Sequence, residues 1–369
     1  MKSSRHVIIG AGFAGAATAY HLARRGVEDI VILEQESQAG FHSSGRNAAM
    51  ARQVVPEPAI AALAREGAIF MRDLPADWPT PPILQQNGSL LLGSGEGWQK
   101  LAREAESARL QGIAVECWPP EKAKERVPIL REALFDGGVW CPTDGVVDIH
   151  GLLTGYLKIA TARGARIRYR CRVEQVEVQE ERVTGVVVDH ELLKADVVVN
   201  AAGAWAGSVG KMAGAGDLSL RPLRRHLFVT VPLPWVDPRW PFVWDVSHDL
   251  YFRPEVGGLL LCPCDQEEME PGIPPTDNAV VELLAEKIRS YLPAASDVAI
   301  KTSWAGLRTF SPDGRFVIGE DPKIKGFFWV AALGGHGMTT SYGVGRLAAD
   351  LILDGKGRGK EFSPARFAE

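Results

Sequence analysis

The chain has 369 residues, 46% of them hydrophobic and 23% charged, with a formal net charge of −4. That length accommodates two domains at the usual ~100–200 residues each. The slight acidity and the lack of a basic block give nucleic-acid binding no electrostatic support. No apolar run approaches the ~20 residues of a membrane helix.

The first elements carry the strongest signal. An apolar run, His6–Ile9, leads into Gly10-Ala11-Gly12-Phe13-Ala14-Gly15. An Ala-rich helix pattern follows to Arg25, and a second apolar run, Ile30–Leu33, ends on Glu34 and Gln35. Strand, glycine turn, helix, strand and acid in this register form the unit that binds an adenine dinucleotide. Gly10 permits the tight turn, Gly12 the approach of backbone to pyrophosphate, and Gly15 the close packing of helix on sheet. The helix N-terminus, opened by Phe13 and Ala14, presents free N–H groups to the phosphates. Glu34 suits the ribose hydroxyls and would repel a 2′-phosphate, which leaves FAD and NAD. A strand starting near residue 6 leaves no room for a targeting peptide. The expected location is cytoplasmic, with loose membrane contact left open.

A polar loop, GFHSSGRNAAM, follows. Pro58–Leu74 reads as a helix, Gly88–Gly93 as a strand, Trp98–Gln111 as an amphipathic helix and Phe135–Cys141 as a strand. Asp148–Arg163 reads as a helix capped by Asp148. Arg166–Glu177 and Arg182–Asp189 read as a hairpin-like pair. Ala195–Asn200 is almost wholly apolar, like a buried parallel strand. Leu227–Val231, Leu250–Arg253 and Gly258–Cys262 suggest a second, antiparallel sheet. Asn278–Leu292 is a helix, Phe316–Gly319 and Phe327–Ala332 are strands, and Thr339–Leu353 is the last helix. The last strand and helix enclose Gly334-Gly335-His336-Gly337, a second glycine-rich turn. Its helix N-terminus, expected near Gly337, would face the flavin edge where negative charge gathers on reduction. The five cysteines include no CxxC pair, and the expectation is reduced thiols with no metal site.

The expected fold class is α/β: a Rossmann-like FAD-binding domain of the GR2 type with an inserted α+β substrate domain containing an antiparallel sheet. The FAD-binding domain is assigned to 1–80, 146–220 and 303–369, and the substrate domain to 81–145 and 221–302.

The segments GAGFAG…VILE, GFHSSGRNAA, VVVNAAGAWAG, RPLRRHLF, DLYFRP, WAGLRTFSPDGRFVIG and GFFWVAALGGHGMTTS occur in this order. Together they resemble the FAD-dependent D-amino-acid oxidase superfamily, which includes glycine and sarcosine oxidases. Among its branches the bacterial FAD-dependent D-arginine dehydrogenases look most similar. The resemblance spans nearly the whole chain and implies noncovalent FAD. It places the cofactor on Gly10, Gly12, Gly15 and Glu34, with Ser43, Ser44, Gly45, Arg46, Asn47 and Ala48 as the loop under the flavin. Val173 would meet the adenine through its backbone, and Ala202, Gly203 and Trp205 would follow the buried strand. Gly306 would also bind the cofactor, and Gly334, Gly335, Gly337, Met338 and Thr339 would lie by the pyrimidine ring. Thr309–Arg315 lacks the cysteine that links flavin in sarcosine oxidases.

For the substrate, the resemblance implies a carboxylate clamp from Arg308, a second arginine at Arg225 with Arg224 as the alternative, and the Tyr251 hydroxyl. His336 is a candidate base or pocket wall. The chain departs from the D-arginine enzymes at three positions. Ser89 stands where an acid would hold the cationic side chain, Met50 where a histidine stands, and Val55 where a tyrosine stands. Without the acid a guanidinium would be buried unpaired, at high cost.

The expected activity is therefore oxidation of the Cα–N bond of a D-amino acid with a neutral or apolar side chain. Hydride would pass to flavin N5, and the imino acid would hydrolyse to a keto acid and ammonia. Alternatives within the superfamily are a secondary-amine enzyme, for sarcosine, proline or N-methyl amino acids, and a 2-hydroxy-acid enzyme. From other classes come a flavin-carrying subunit of a larger complex and an NAD-binding regulatory protein. The expected partners are a small amino acid and an electron acceptor, O₂ or quinone. Handedness, choice of acceptor and homo-oligomerisation are left open.

Overall fold

The computed structural model describes residues 5–355 and 359–368. Residues 1–4, 356–358 and 369, at the margins of the expected FAD-binding segments, lie outside the described residues.

His6–Ile9 is buried along its whole length, as an apolar strand with neighbours on both sides must be. It pairs in parallel with Ile30–Leu33 on one side and Val197–Asn200 on the other. Among the described residues this sheet has six strands, in the order Val317–Glu320, Phe327–Ala331, Val197–Asn200, His6–Ile9, Ile30–Leu33, Arg166–Arg168. All pairs are parallel except the edge pair Val317–Glu320 with Phe327–Ala331. Gly10 ends the first strand at φ +104°, where a Cβ would lie 2.6 Å from the Ala201 carbonyl oxygen. A side chain there would be blocked by both backbone strain and contact.

Arg166–Glu177 is not one strand. Arg166–Arg168 joins the six-stranded sheet, and Val173–Gln179 begins the hairpin with Arg182–Val188. Arg170 takes φ +58° between them, and its N–H and that of Cys171 donate to the carbonyls of Glu36 and Glu34. That crossing lays the chain over the end of the glycine-rich unit. The last helix also starts later than expected, at Ser341. The Thr340 N–H and hydroxyl both return to the His336 carbonyl and close a turn first.

The second large sheet has nine strands among the described residues. It is antiparallel except where Phe242–Asp245 runs parallel to Ser89–Gly93. Its longest ladder joins Arg221–Thr230 to Ile300–Phe310. The first of these strands is twice the expected Leu227–Val231, and the second has no counterpart in the sequence reading. Ile300–Phe310 passes unbroken through position 303, where the FAD-binding segment was expected to resume.

Helix Phe13–Arg24 packs on Ser341–Asp354, and Gly345 makes the approach possible: a Cβ there would lie 2.5 Å from the Ala17 backbone. Gly345→Val should force the helices apart, cost roughly 1–3 kcal/mol and lower Tm. Scanning calorimetry of the FAD-loaded protein checks this, and an unchanged Tm would mean that the interface relaxes freely.

Candidate active site

Two adjoining cavities run along the C-terminal ends of the parallel strands, where open α/β sheets place ligands. They share Gly12, Ser43, Ser44, Ala201 and Gly203, so they form one elongated channel. Its distal half is lined by Gly10, Glu34, Gln35, Val173, Ala202 and Trp205. Its proximal half is lined by Phe13, Ala14, Arg46, Asn47, Ala48, Gly306, Gly334, Gly335, Gly337, Met338 and Thr339. Gly15 and Gly45 lie outside the lining. A Cβ on Gly15 would meet the Gly10 oxygen at 2.0 Å, and one on Gly45 the Gly40 oxygen at 2.4 Å. Both glycines shape the walls from behind.

The channel suits a dinucleotide. Gly12 caps the first helix without a side chain of its own, and the Phe13 N–H donates to the Ser44 hydroxyl at 3.0 Å. Buried Glu34 sits at the distal end, its carboxylate accepting from the N–H groups of Ala11 at 2.8 Å and Glu36 at 3.0 Å. The loop expected under the flavin is fastened to its surroundings. Ser43 donates to the Leu307 carbonyl at 2.6 Å, Arg253 to Ala48 at 2.7 Å, and Thr339 to Met50 at 3.3 Å. No cysteine lines the proximal half. The helix start expected near Gly337 is corrected. Gly337–Thr340 is a turn, and any stabilisation of charge there comes from turn amides rather than a helix end.

Register decides which arginines reach the cavity. Arg225 lies opposite Gly306, and Leu223 opposite Arg308. Facing residues of an antiparallel pair share one side and alternate residues repeat it. Arg225 and Arg308 therefore project together into the proximal cavity. Arg224, opposite Leu307, projects away and pairs with Glu267 and Asp277. Arg225 is held by the carbonyls of Asp265 at 2.8 Å and Cys264 at 3.1 Å. Asp265 is itself fixed by His226, whose N–H and Nδ1 both contact its carboxylate.

Arg308 is different: its Nε and Nη2 are buried and, among the described residues, have no hydrogen-bond partner. Its flank packs on Gly335, where a Cβ would lie 2.9 Å from Arg308 Cδ and where φ is +92°. Burial and the neighbouring Arg225 charge pull the Arg308 guanidinium down to about 10, so it stays charged at neutral pH. Burial, with the Cys262 thiol beside it, keeps the Tyr251 phenol protonated above its ordinary range. Tyr251 also lines the cavity and is thus a hydrogen-bond donor there. His336 lines it too, and burial with the charges of Arg52 and Arg308 lowers its imidazole to about 3. It is a poor proton acceptor, which weighs against its role as a base.

The sequence reading missed Arg52 and Trp244, which line the same cavity with the Arg52 guanidinium 4.3 Å from the indole ring centre. Ser89 is fully buried and donates to Asp144 at 2.6 Å rather than lining the cavity. Among the described residues, no Asp or Glu side chain lines the proximal half.

The family model for FAD dependent oxidoreductases, DAO, matches residues 5–351. The chain belongs to this family. It binds FAD, and the elongated channel, with the open helix N-terminus at Gly12 and Phe13, has the form a dinucleotide needs. Mouse mitochondrial sarcosine dehydrogenase is 29% identical over 95% of the chain and 40% of its own length. Mouse mitochondrial dimethylglycine dehydrogenase is 28% identical over 95% of the chain and 42% of its own length. The chain thus spans less than half of these relatives. The structure of L-proline dehydrogenase from P. horikoshii superposes with a TM-score of 0.89 at 25% identity, covering 99% of this chain and 98% of that one. The motifs' superfamily is right, but these relatives are named for sarcosine, dimethylglycine and proline rather than D-arginine. Among the described residues no helix is long and apolar enough to cross a membrane.

The lowered imidazole fixes a pH dependence. Unfolded His336 takes up a proton near 6.5 and folded His336 only near 3, so folding stability is lost as pH falls between those values. Replacing His336 by Asn should flatten the stability slope between pH 4 and 6 by about 1.4 kcal/mol per pH unit. Urea unfolding across that range checks it, and an unchanged slope would mean that the folded imidazole protonates normally.

Proposed function

We propose that the chain oxidises a C–N bond of a secondary amino acid, an N-alkyl or cyclic amino acid, to the imine. The buried, unpartnered Nε and Nη2 of Arg308 carry this reading. A charged fork with open donors inside a cavity calls for a planar anion, and a carboxylate meets it with two parallel bonds. Arg225, already braced by two carbonyls, would add a second cation to the same carboxylate, and the protonated Tyr251 a further donor.

The arginines act on the amine as well. Like charges nearby disfavour the ammonium form, so the cavity favours the neutral amine whose lone pair the reaction needs. FAD supplies the acceptor for the hydride equivalent. The C–H bond beside nitrogen would break with its electron pair leaving as hydride, the nitrogen lone pair closing the C=N bond as an iminium; loss of its N–H proton to water gives the imine, and addition of water releases a carbonyl and an amine, joined in one molecule where the substrate is cyclic. Holding carboxylate and amine in one pose supplies much of the rate, and no strong base is demanded.

The sarcosine and proline enzymes among the relatives, named for secondary amines, support this reading over the D-amino acid first expected, and the dimethylglycine enzyme, named for a tertiary amine, supports an N-alkylated substrate. A 2-hydroxy acid needs a base for its hydroxyl, and an imidazole held near 3 serves poorly. The lining holds no acid to pair with a cationic substrate end, which argues against D-arginine.

The test is anaerobic loss of the flavin absorbance band in matched pairs: sarcosine against glycine, N-methylalanine against alanine in both hands, with lactate as the hydroxy acid. The N-methyl member of each pair should bleach the band at least about tenfold faster. Faster bleaching by D-alanine than by either N-methylalanine would return the assignment to D-amino acids.

A further inference from the structure

Arg52 is a further guanidinium in the proximal cavity, which Arg46, Arg225 and Arg308 also line, and it has no part in the carboxylate clamp. It follows the fastened loop. The Asp144 carboxylate holds its neighbour Gln53 through the backbone N–H at 3.2 Å and the side-chain amide at 2.8 Å. Asp144 also accepts from Ser89 and is fully buried. The backbone on both sides of Arg52 is therefore fixed, because Thr339 ties down Met50. The guanidinium lies over the Trp244 ring, a contact that orients it without neutralising it. Its Nε is buried with no partner. The charges of Glu104 and Asp144 favour its charged form, yet among the described residues no ion pair joins either carboxylate to it. Asp144 is committed to Ser89 and Gln53.

Arg52 stands apart from the clamp. Arg225 and Arg308 rise from the long ladder, whereas Arg52 comes from the loop and is seated on Trp244 of the Phe242–Asp245 strand. Arg52, Arg308 and His336 all line this one cavity, so the two guanidiniums share its space. Two oriented cations, each with an open buried donor, in a cavity whose lining has no acid, form a receptor for two anions on one molecule.

We propose that the substrate carries a second carboxylate: Arg308 and Arg225 take the carboxylate beside the reacting nitrogen, and Arg52 takes the one at the other end. The substrate class is an amino dicarboxylate, with the second acid on the N-substituent or the side chain. This rests on the carboxylate clamp of the preceding section. It replaces the neutral or apolar side chain expected from Ser89, since the absence of an acid at that position accompanies the presence of a cation in the cavity.

The experiment is a titration of the FAD-loaded protein with unreactive acids matched in chain length: succinate against butyrate and glutarate against pentanoate. Displacement of the flavin absorbance band gives each Kd. At least one dicarboxylate should bind about tenfold or more tightly than its monocarboxylate partner, the gain expected of a charge-assisted contact. Arg52→Gln should collapse that ratio to within about twofold, while Arg52→Lys should keep at least threefold. If Arg52→Gln fails to hold FAD, the wild-type ratio and the Arg52→Lys ratio still decide. Equal binding of mono- and dicarboxylates by the wild type would overturn this proposal and leave the clamp standing. A preference that survives Arg52→Gln would overturn it too, as would a shifted flavin potential in that variant with no dicarboxylate preference in the wild type. If no acid perturbs the flavin, the clamp itself fails and the proposal falls with it.

Discussion

The ladder between Arg221–Thr230 and Ile300–Phe310 sets two guanidiniums side by side on one face, in a cavity whose lining, among the described residues, holds no carboxylate. Like charges in a low-dielectric cavity repel, and an unpaired buried charge is costly. The structure bears that cost through rigidity. Arg225 is held by two carbonyls, Arg308 lies against the backbone of Gly335, and the strands that carry them are long and paired along their length. A site built in this way is completed by an anion, and that requirement organises the chemistry.

The two sheets meet at this point. The loop of residues 43–50 leaves the nucleotide-binding sheet, hydrogen-bonds to Leu307 on the ladder and to Arg253 on the large sheet, and returns to Thr339 beside the second glycine-rich turn. The cofactor channel and the arginine-lined cavity are therefore fixed relative to each other by short bonds rather than by a flexible linkage. A substrate anchored by its carboxylate would meet the cofactor in one pose, and that pre-organisation is where such a site gains rate.

Much of the nucleotide half was legible in the sequence because its determinants are local. Glycine spacing, the apolar run before it and the acid after the second strand all lie within residues 6–34. The substrate half was less legible because its determinants are not local. Arg224 and Arg225 are adjacent, and only register against a strand some 80 residues later sends one to Glu267 and the other to the cavity. That partner strand includes WAGLRTF, a motif noticed for its arginine and not for its pairing. Arg52 carries no local mark, since its meaning comes from Trp244 beneath it and from the Asp144 carboxylate being spent on Ser89 and Gln53. The late start of the last helix escaped notice for a similar reason: Thr340 looks like a helix residue until its hydroxyl is seen returning to His336.

The most direct test of the central claim is a crystal structure of the FAD-loaded protein with an unreactive carboxylate bound. A carboxylate oxygen is expected within hydrogen-bonding distance of Arg308 Nε and Nη2, on the face shared with Arg225. A guanidinium of Arg308 that instead bonds to the flavin or to a protein carboxylate, with the anion elsewhere, would contradict it.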